Sequence, residues 1–222
     1  GLERLRYTTS HPRDMDQDLI EAHGEIPQLM PFLHLPVQSG SNKILQAMNR
    51  KHTIEDYLKI IDQLRQARPD IAFSSDFIIG FPGETSEDHK ATLDLIKTVT
   101  FAQAYSFKYS IRPGTPAGSM ESQLSDDIKM ERLYEVQDLL RQQQWAFNQT
   151  KIGTVQAVLF DRKGKIDGQL LGKTPYMQSV PVHASKNLSG QIVDVIIEEA
   201  HANSLSGKII TSSRSCVNGV AA

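Results

Sequence analysis

Cysteine is almost missing from this 222-residue chain, which has Cys216 alone. One thiol excludes an intramolecular disulfide and fits a reducing cytoplasm. It also excludes an iron–sulfur cluster held by this chain by itself, because such clusters take about three or four thiolates. Cys216 sits in a small, polar tail and is expected to be inert. Long apolar runs are missing as well. No stretch approaches the roughly 18 residues of a membrane-spanning helix. The opening residues, Gly1-Leu2-Glu3-Arg4-Leu5-Arg6-Tyr7, contain no signal core. Net charge is small, at −2, so any contact with RNA has to come from a local basic surface rather than from the whole molecule. An initiator methionine is absent too, and a strand-like stretch follows almost at once, so the chain is expected to begin inside a longer protein.

What is present is a composition of 39% hydrophobic and 23% charged residues, that of a water-soluble globular protein. The length allows one large or two modest domains. Two regions differ in pattern. Up to about Phe147, short apolar runs alternate with helix-period segments, the pattern of parallel βα units. Strands are predicted at Leu5–Thr9, Phe32–Val37, Ala72–Ile79 and Tyr105–Ile111. Ile54, Tyr57, Leu58, Ile61 and Leu64 share one helical face, and Pro69 stops that helix. Ser86 is the predicted N-cap of the next helix, with Glu87 and Asp88 at its positive end and Leu93, Ile96 and Val99 on its buried side. A longer helix follows from Ser125, with a stripe of Leu133, Val136, Leu140 and Phe147 and a polar opposite face, as for a solvated helix linking two domains.

From about Gly153 the pattern changes to period-two alternation. Thr154–Phe160, Gln169–Gly172, Ser179–His183, Gln191–Glu198 and Gly207–Thr211 read as five short strands, with Asp161-Arg162-Lys163-Gly164 as a hairpin turn. Five short strands in so few residues predict a small OB-like barrel. The fold class expected is therefore α/β plus all-β. The boundaries are 1–124 for the βα region, 125–150 for the linker helix, 151–212 for the barrel and 213–222 for a disordered tail.

Four segments share one layout, a strand followed by a loop rich in glycine, proline and serine. They are Tyr7-Thr8-Thr9-Ser10-His11-Pro12, His34-Leu35-Pro36-Val37-Gln38-Ser39-Gly40-Ser41, Ser74-Ser75-Asp76-Phe77-Ile78-Ile79-Gly80-Phe81-Pro82-Gly83-Glu84, and Tyr109-Ser110-Ile111-Arg112-Pro113-Gly114-Thr115-Pro116. In βα barrels, ligands bind at the carboxyl ends of the strands. Any one loop alone reads equally well as a plain turn, whereas four in register indicate one shared site.

These segments resemble the third to sixth barrel strands of the radical-SAM methylthiotransferases, most closely the MiaB type that acts on tRNA. The resemblance covers nearly the whole chain. It implies the last four strands of a partial radical-SAM (β/α) barrel, followed by a TRAM domain, an RNA-binding module. The parent enzyme is then expected to convert N6-isopentenyladenosine at tRNA position 37 to its 2-methylthio derivative. S-adenosylmethionine serves there both as methyl donor and as source of a 5′-deoxyadenosyl radical, and two [4Fe–4S] clusters are implied. Partners implied are the tRNA anticodon stem-loop and an electron donor such as flavodoxin, in the cytoplasm, for a monomeric enzyme. This sequence departs from the family in lacking the Cys-x-x-x-Cys-x-x-Cys loop, the amino-terminal domain with its further cysteines and the first two strands. The chain alone is expected to bind neither cluster and to be inactive. Threonylcarbamoyl-adenosine in tRNA, a ribosomal-protein aspartate, or a stand-alone RNA-binding role are the alternatives.

Site roles follow from chemistry joined to that resemblance. Gln38 and Ser39 are expected to hydrogen-bond the amino-acid end or ribose of S-adenosylmethionine. Asp76 is expected to accept from a hydroxyl or ammonium, or else to cap its loop. Gly80 lets backbone approach adenine and Phe81 supplies an apolar wall. Arg112 engages a carboxylate or a phosphate, or else braces the rim through an ion pair. His34 reads as a core histidine and Glu84 as a helix cap. No metal-ligating or catalytic residue is expected in this chain. In the barrel, Lys151, Arg162, Lys163, Lys165 and Lys173 are candidate phosphate contacts, and Tyr176 either stacks on a base or covers the barrel's end.

Overall fold

The computed structural model describes residues 1–9 and 11–210. Ser10 of the first loop, Cys216 and the tail expected at 213–222 lie outside the described residues. The chain divides into two compact units, Gly1–Asn148 and the residues from Gln149 onward.

The first unit is built on a parallel sheet of β1 (Phe32–His34), β2 (Ala72–Ile79) and β3 (Gln103–Lys108), in that order. Parallel neighbours need crossover connections. Here α2 (Asn42–Ala47) and α3 (Ile54–Ala67) link β1 to β2, and α4 (Ser86–Val99) links β2 to β3. Helix α1 (Gln17–Glu25) precedes the sheet and α5 (Asp126–Gln149) follows it.

Strand β2 has the predicted bounds, while its neighbours differ for identifiable reasons. Beyond His34 the chain meets Pro36, which has no N–H to give the ladder. Pairing resumes only where the Gln38 N–H donates to the Asp76 carbonyl, at 3.0 Å. β3 starts and ends earlier than Tyr105–Ile111. Its last bond is from Tyr109 N–H to the Ile79 carbonyl, after which β2 has turned away at Gly80. The predicted strand Leu5–Thr9 forms no ladder. It touches the sheet only through an isolated parallel bridge of Thr8 with His34, a second bridge joining Leu5 to Leu29 ahead of β1, because its neighbour β1 is only three residues long.

The helix termini follow local hydrogen bonding. Thr53 and Asp56 form a reciprocal capping box on α3, and α3 ends at Ala67, just before Pro69. On α4 the cap is Thr85, not Ser86. Thr85 and Asp88 satisfy each other's backbone N–H groups, which leaves Ser86 as the first helical residue. Ser125 caps α5 as predicted, accepting from Ile128 N–H at 3.4 Å.

The core of this unit joins Leu33, Leu35 and Val37 to Phe73, Phe77 and Ile79, the buried faces of α3 and α4, and Leu133, Val136 and Leu140 of α5. Each such side chain contributes roughly 1.5–3 kcal/mol through burial. Tyr57 is fully buried, and its hydroxyl donates to the Leu35 carbonyl at 3.0 Å.

Two buried histidines make this unit acid-sensitive. Burial lowers His23 to about 4, with Arg68 adding to the effect. Burial also lowers His52 to about 4, helped by His11 and Arg50. The unfolded chain therefore binds protons below the ordinary histidine value of 6.5 while the folded chain stays neutral. Their contribution is complete above that value and falls as pH drops from 6.5 toward 4. Thermal melts across that window should show a falling midpoint, and His23→Gln should flatten part of the slope. An unchanged slope would contradict the assignment.

The second unit is an antiparallel five-stranded sheet of β4 (Val155–Lys163), β5 (Gln169–Lys173), β6 (Ser179–His183), β7 (Ile192–Ala200) and β8 (Leu205–Ile209), ordered β6-β5-β4-β7-β8. A bridge between Ser179 and Ser204 brings the two edges together and nearly closes the barrel. Val158, Phe160, Leu170, Val180, Val195, Ile197 and Leu205 fill it. The predicted turn at Asp161–Gly164 is displaced. Register shifts between Phe160 and Arg162, so a bulge absorbs Asp161 and β4 continues to Lys163. The chain reverses over 164–168, where Gly168 has φ 76°.

Candidate functional site

The loops after β1, β2 and β3 surround one cavity of about 740 Å³, within the roughly 300–1,000 Å³ typical of small-molecule sites. Gln38, Asp76, Phe81 and Arg112 all line it, so four of the predicted cofactor contacts converge. Gln38 reaches this position with φ 79°, a left-handed conformation uncommon for a side chain of its size. Its backbone is clamped on both sides, donating to Asp76 and accepting from Ile78 N–H at 3.0 Å.

Asp76 lies within β2, three residues before its end, not at the strand end as expected. The imidazole of His34 lies beside it, Nε2 to Oδ2 at 3.5 Å. The other ring nitrogen of His34 is 2.8 Å from Ser74 Oγ. His34 is thus half-buried and braces a cavity wall instead of filling the apolar core. Arg112 makes no side-chain hydrogen bond or ion pair among the described residues.

Ser39 and Gly80 do not line the cavity. Ser39 is buried, 3.4 Å from Thr92 Oγ1, and accepts from Ser41 N–H at 3.2 Å. It fastens its loop to α4. Gly80 has φ 75° and lies against the Lys129 side chain, which a Cβ there would overlap. Its N–H donates to Glu84 Oε2 at 3.2 Å. Glycine is needed there for the turn and for α5 to pack closely. Glu84 is not the helix cap expected, since Thr85 has that role. It is a buried clamp, paired with Arg132 Nη1 at 2.8 Å.

Sequence reasoning missed Arg50, Phe107, Lys108 and Tyr109, which also line the cavity. The Tyr109 ring meets Phe81 edge-on, with centroids 5.2 Å apart. Its hydroxyl is buried with no hydrogen-bond partner among the described residues, an orphan that a bound ligand would satisfy. Alternation on β3 would have found Phe107, because it shares a sheet face with Tyr105. Arg50 had no such signal.

In the second unit, Lys163 and Lys165 line a hollow of about 140 Å³ at the β4–β5 reversal, together with Lys186, which the sequence reading overlooked. Arg162 is paired with Asp161 at 3.1 Å. Lys173 Nζ donates to Ser179 Oγ at 2.9 Å and braces the β5–β6 connection. Lys151 Nζ sits 3.9 Å from the Tyr176 ring centroid, a cation–π contact that covers one face of the ring.

Among the described residues no cluster of three or more His, Cys, Asp or Glu could hold a metal, and no helix is long and apolar enough to cross a membrane.

A partial βα barrel with its cavity at the strand ends, followed by a small β-barrel, defines a class that the comparisons identify. Residues 1–96 match the Radical SAM superfamily and residues 149–210 match the TRAM domain. The solved structure of coproporphyrinogen III oxidase from Escherichia coli, a radical SAM enzyme, superposes with a TM-score of 0.50 at 21% identity, over 60% of this chain and 31% of that one. The relatives are more specific. The chain is 60% identical over 95% of its length to the tRNA-2-methylthio-N(6)-dimethylallyladenosine synthase of Rickettsia rickettsii, covering 47% of that protein. It is 56% identical over 97% of its length to the synthase of the same name from Maricaulis maris, again covering 47% of that protein. The chain is similar to these synthases along nearly its whole length, and it spans about half the length of the curated relatives it matches.

Proposed function

We propose that this chain is the carboxy-terminal part of a radical-SAM tRNA methylthiotransferase. The parent enzyme transfers a methylthio group to C2 of N6-isopentenyladenosine at tRNA position 37. It acts in the cytoplasm as a monomer, with two [4Fe–4S] clusters and an electron donor such as flavodoxin. Residues 1–124 are its part of the catalytic barrel, 125–150 the connecting helix and 151–212 the unit that docks the anticodon stem-loop. The observation that carries this reading is the sequence identity of 56–60% to proteins of that name, joined to a cavity at the strand ends whose residues suit the cofactor.

Iron–sulfur clusters do not fit the residues of this chain, whose single cysteine cannot supply the thiolates. S-adenosylmethionine fits. Its amino acid carries both charges, and the cavity offers Asp76 for the ammonium and Arg50 or Arg112 for the carboxylate. Phe81, Phe107 and Ile78 give an apolar wall for the adenine, and the unpartnered Tyr109 hydroxyl can donate to a ribose oxygen. When bound, that cofactor supplies a transferable methyl group and a cleavable sulfonium bond. The residues of this chain bind it, orient it and brace Asp76 through His34. The target base has to leave the stack to reach such a cavity, which suits a loop nucleotide.

The test is the reconstituted full-length parent enzyme, supplied in parallel with tRNA bearing the isopentenyl group and tRNA lacking it. A 2-methylthio nucleoside should form only on the former, read by nucleoside mass spectrometry. Product on tRNA without that group, or on tRNA carrying threonylcarbamoyl-adenosine instead, would overturn the substrate.

A further inference from the structure

Two of the loops that meet at the cavity are tied to each other from behind, by the first two turns of α4. Thr92 holds the loop after β1. Its Oγ1 accepts from Gly40 N–H at 2.9 Å and lies 3.4 Å from Ser39 Oγ. Asp88, one turn earlier, holds that loop and the loop after β2 together. Its Oδ1 accepts from Ser41 Oγ at 2.6 Å. Its Oδ2 accepts from Thr85 N–H at 2.9 Å and from Lys43 Nζ at 2.8 Å. Lys43 is on α2, and the same amine donates to the Gly83 carbonyl at 3.0 Å. One carboxylate and one ammonium therefore bridge the two loops.

That carboxylate is ionised. Burial disfavours its charge, and the hydrogen bonds from Lys43, Ser41 and Thr85 outweigh burial and hold the carboxyl down at about 2. Neither Asp88 nor Lys43 lines the cavity, but the loops they join carry two residues that do, Gln38 and Phe81. The bonds of Asp88 to Thr85 complete the cap of α4 and account for only part of its surroundings. The side chain of Lys43 is 60% exposed, and an exposed ion pair adds little to stability. What the bridge adds is a fixed distance between the loops. Binding groups have to be held within about 0.5 Å of their productive places, so a loop released at one end is enough to weaken a site.

We propose that Asp88 and Lys43 are positioning residues for the cavity. They set the separation of the walls carried by Gln38 and Phe81, and with it the affinity for the cofactor held between those walls, without touching it. This rests on the reading of the cavity as the S-adenosylmethionine site.

The experiment uses the reconstituted full-length parent enzyme and radiolabelled S-adenosylmethionine in equilibrium dialysis, with a thermal melt of each variant alongside. Lys43→Met keeps the length of the side chain and removes the charge. It should weaken binding about tenfold, the effect of losing one charge-assisted hydrogen bond, and move the melting midpoint by less than about 2 °C. Asp88→Asn should weaken binding at least as much. The double variant Lys43→Met/Asp88→Asn should bind no more weakly than Asp88→Asn, because both changes break one bridge. Lys43→Arg, which can span the same two oxygens, should recover most of the affinity. Asn42→Ala is the control for stability alone. It removes the bonds of Asn42 with Glu55 and with Ile54 N–H, beside Lys43 on the same helix, and should lower the midpoint without changing the affinity. Turnover should show a matching split, with KM for S-adenosylmethionine rising and kcat holding. Wild-type affinity in Lys43→Met overturns the proposal and leaves the cofactor reading standing. So does an affinity that simply follows the midpoint through every variant, Asn42→Ala included. Absence of binding by the wild-type enzyme would overturn both.

Discussion

Replacing Glu84 with alanine should destabilise the first unit by about 3–5 kcal/mol, the cost of leaving one member of a buried ion pair without its partner. The Glu84 side chain is 1% exposed and that of Arg132 12%. Arg132 Nη1 donates to Glu84 Oε1 at 2.8 Å and to the Glu84 carbonyl at 3.0 Å. The other carboxylate oxygen takes the Gly80 N–H. Alanine would strand a guanidinium under α5 and leave the Gly80 amide without an acceptor. The double variant Glu84→Leu/Arg132→Met removes both charges and should cost less than Glu84→Ala, because well-packed apolar replacements of a buried pair are often near neutral. Urea unfolding followed by helical circular dichroism would measure both, and a double variant no more stable than Glu84→Ala would contradict the argument. A loss below about 1 kcal/mol for Glu84→Ala would mean that water reaches the pair and screens it.

Gly40→Ala is the second large effect expected. The Gly40 N–H donates to Thr92 Oγ1 at 2.9 Å, which seats the loop directly on α4. A Cβ at Gly40 would overlap the Ala91 carbonyl oxygen and Thr92 Cα. Both are backbone atoms of a helix that is itself packed in the core, so the strain cannot be relieved by turning a side chain. The expected cost is about 3 kcal/mol, at the upper end for overpacking. The loop from Gln38 to Ser41 would shift, and the cavity wall formed by Gln38 would shift with it. Gly114→Ala is the informative contrast. Gly114 has φ 80° and nothing within 4 Å of an added Cβ, so only left-handed backbone strain of about 1–2 kcal/mol applies. A melt in which Gly114→Ala lowers the midpoint more than Gly40→Ala would contradict the close-approach argument.

The second unit illustrates how far local pattern carries. All five of its strands were legible, since alternation along a half-buried strand is written into consecutive residues. Its turn was not. The bulge at Phe160–Arg162 depends on how β4 pairs with β5, a choice made by the partner strand. The cap of α4 was misread by one residue for a similar reason. Ser86 is as good a cap by type as Thr85, and the reciprocal bond with Asp88 is what selects between them.

The order of elements, the strand β2 and the two-part change of pattern followed from the amino-acid sequence, because each rests on residues near one another in the chain, whereas only three of the four glycine- and proline-rich segments meet at the cavity, since no described residue of Tyr7–Pro12 lines it. The tertiary structure alone decided which loop residues face the cavity. Gln38 and Ser39 are adjacent, yet one lines the cavity and the other is held by Thr92, more than fifty positions further on. His34 braces Asp76 across two strands, and Arg50 and Tyr109 enter the wall from loops on either side of β2. Such roles depend on contacts between residues distant in the chain, and a list of residue types does not contain them.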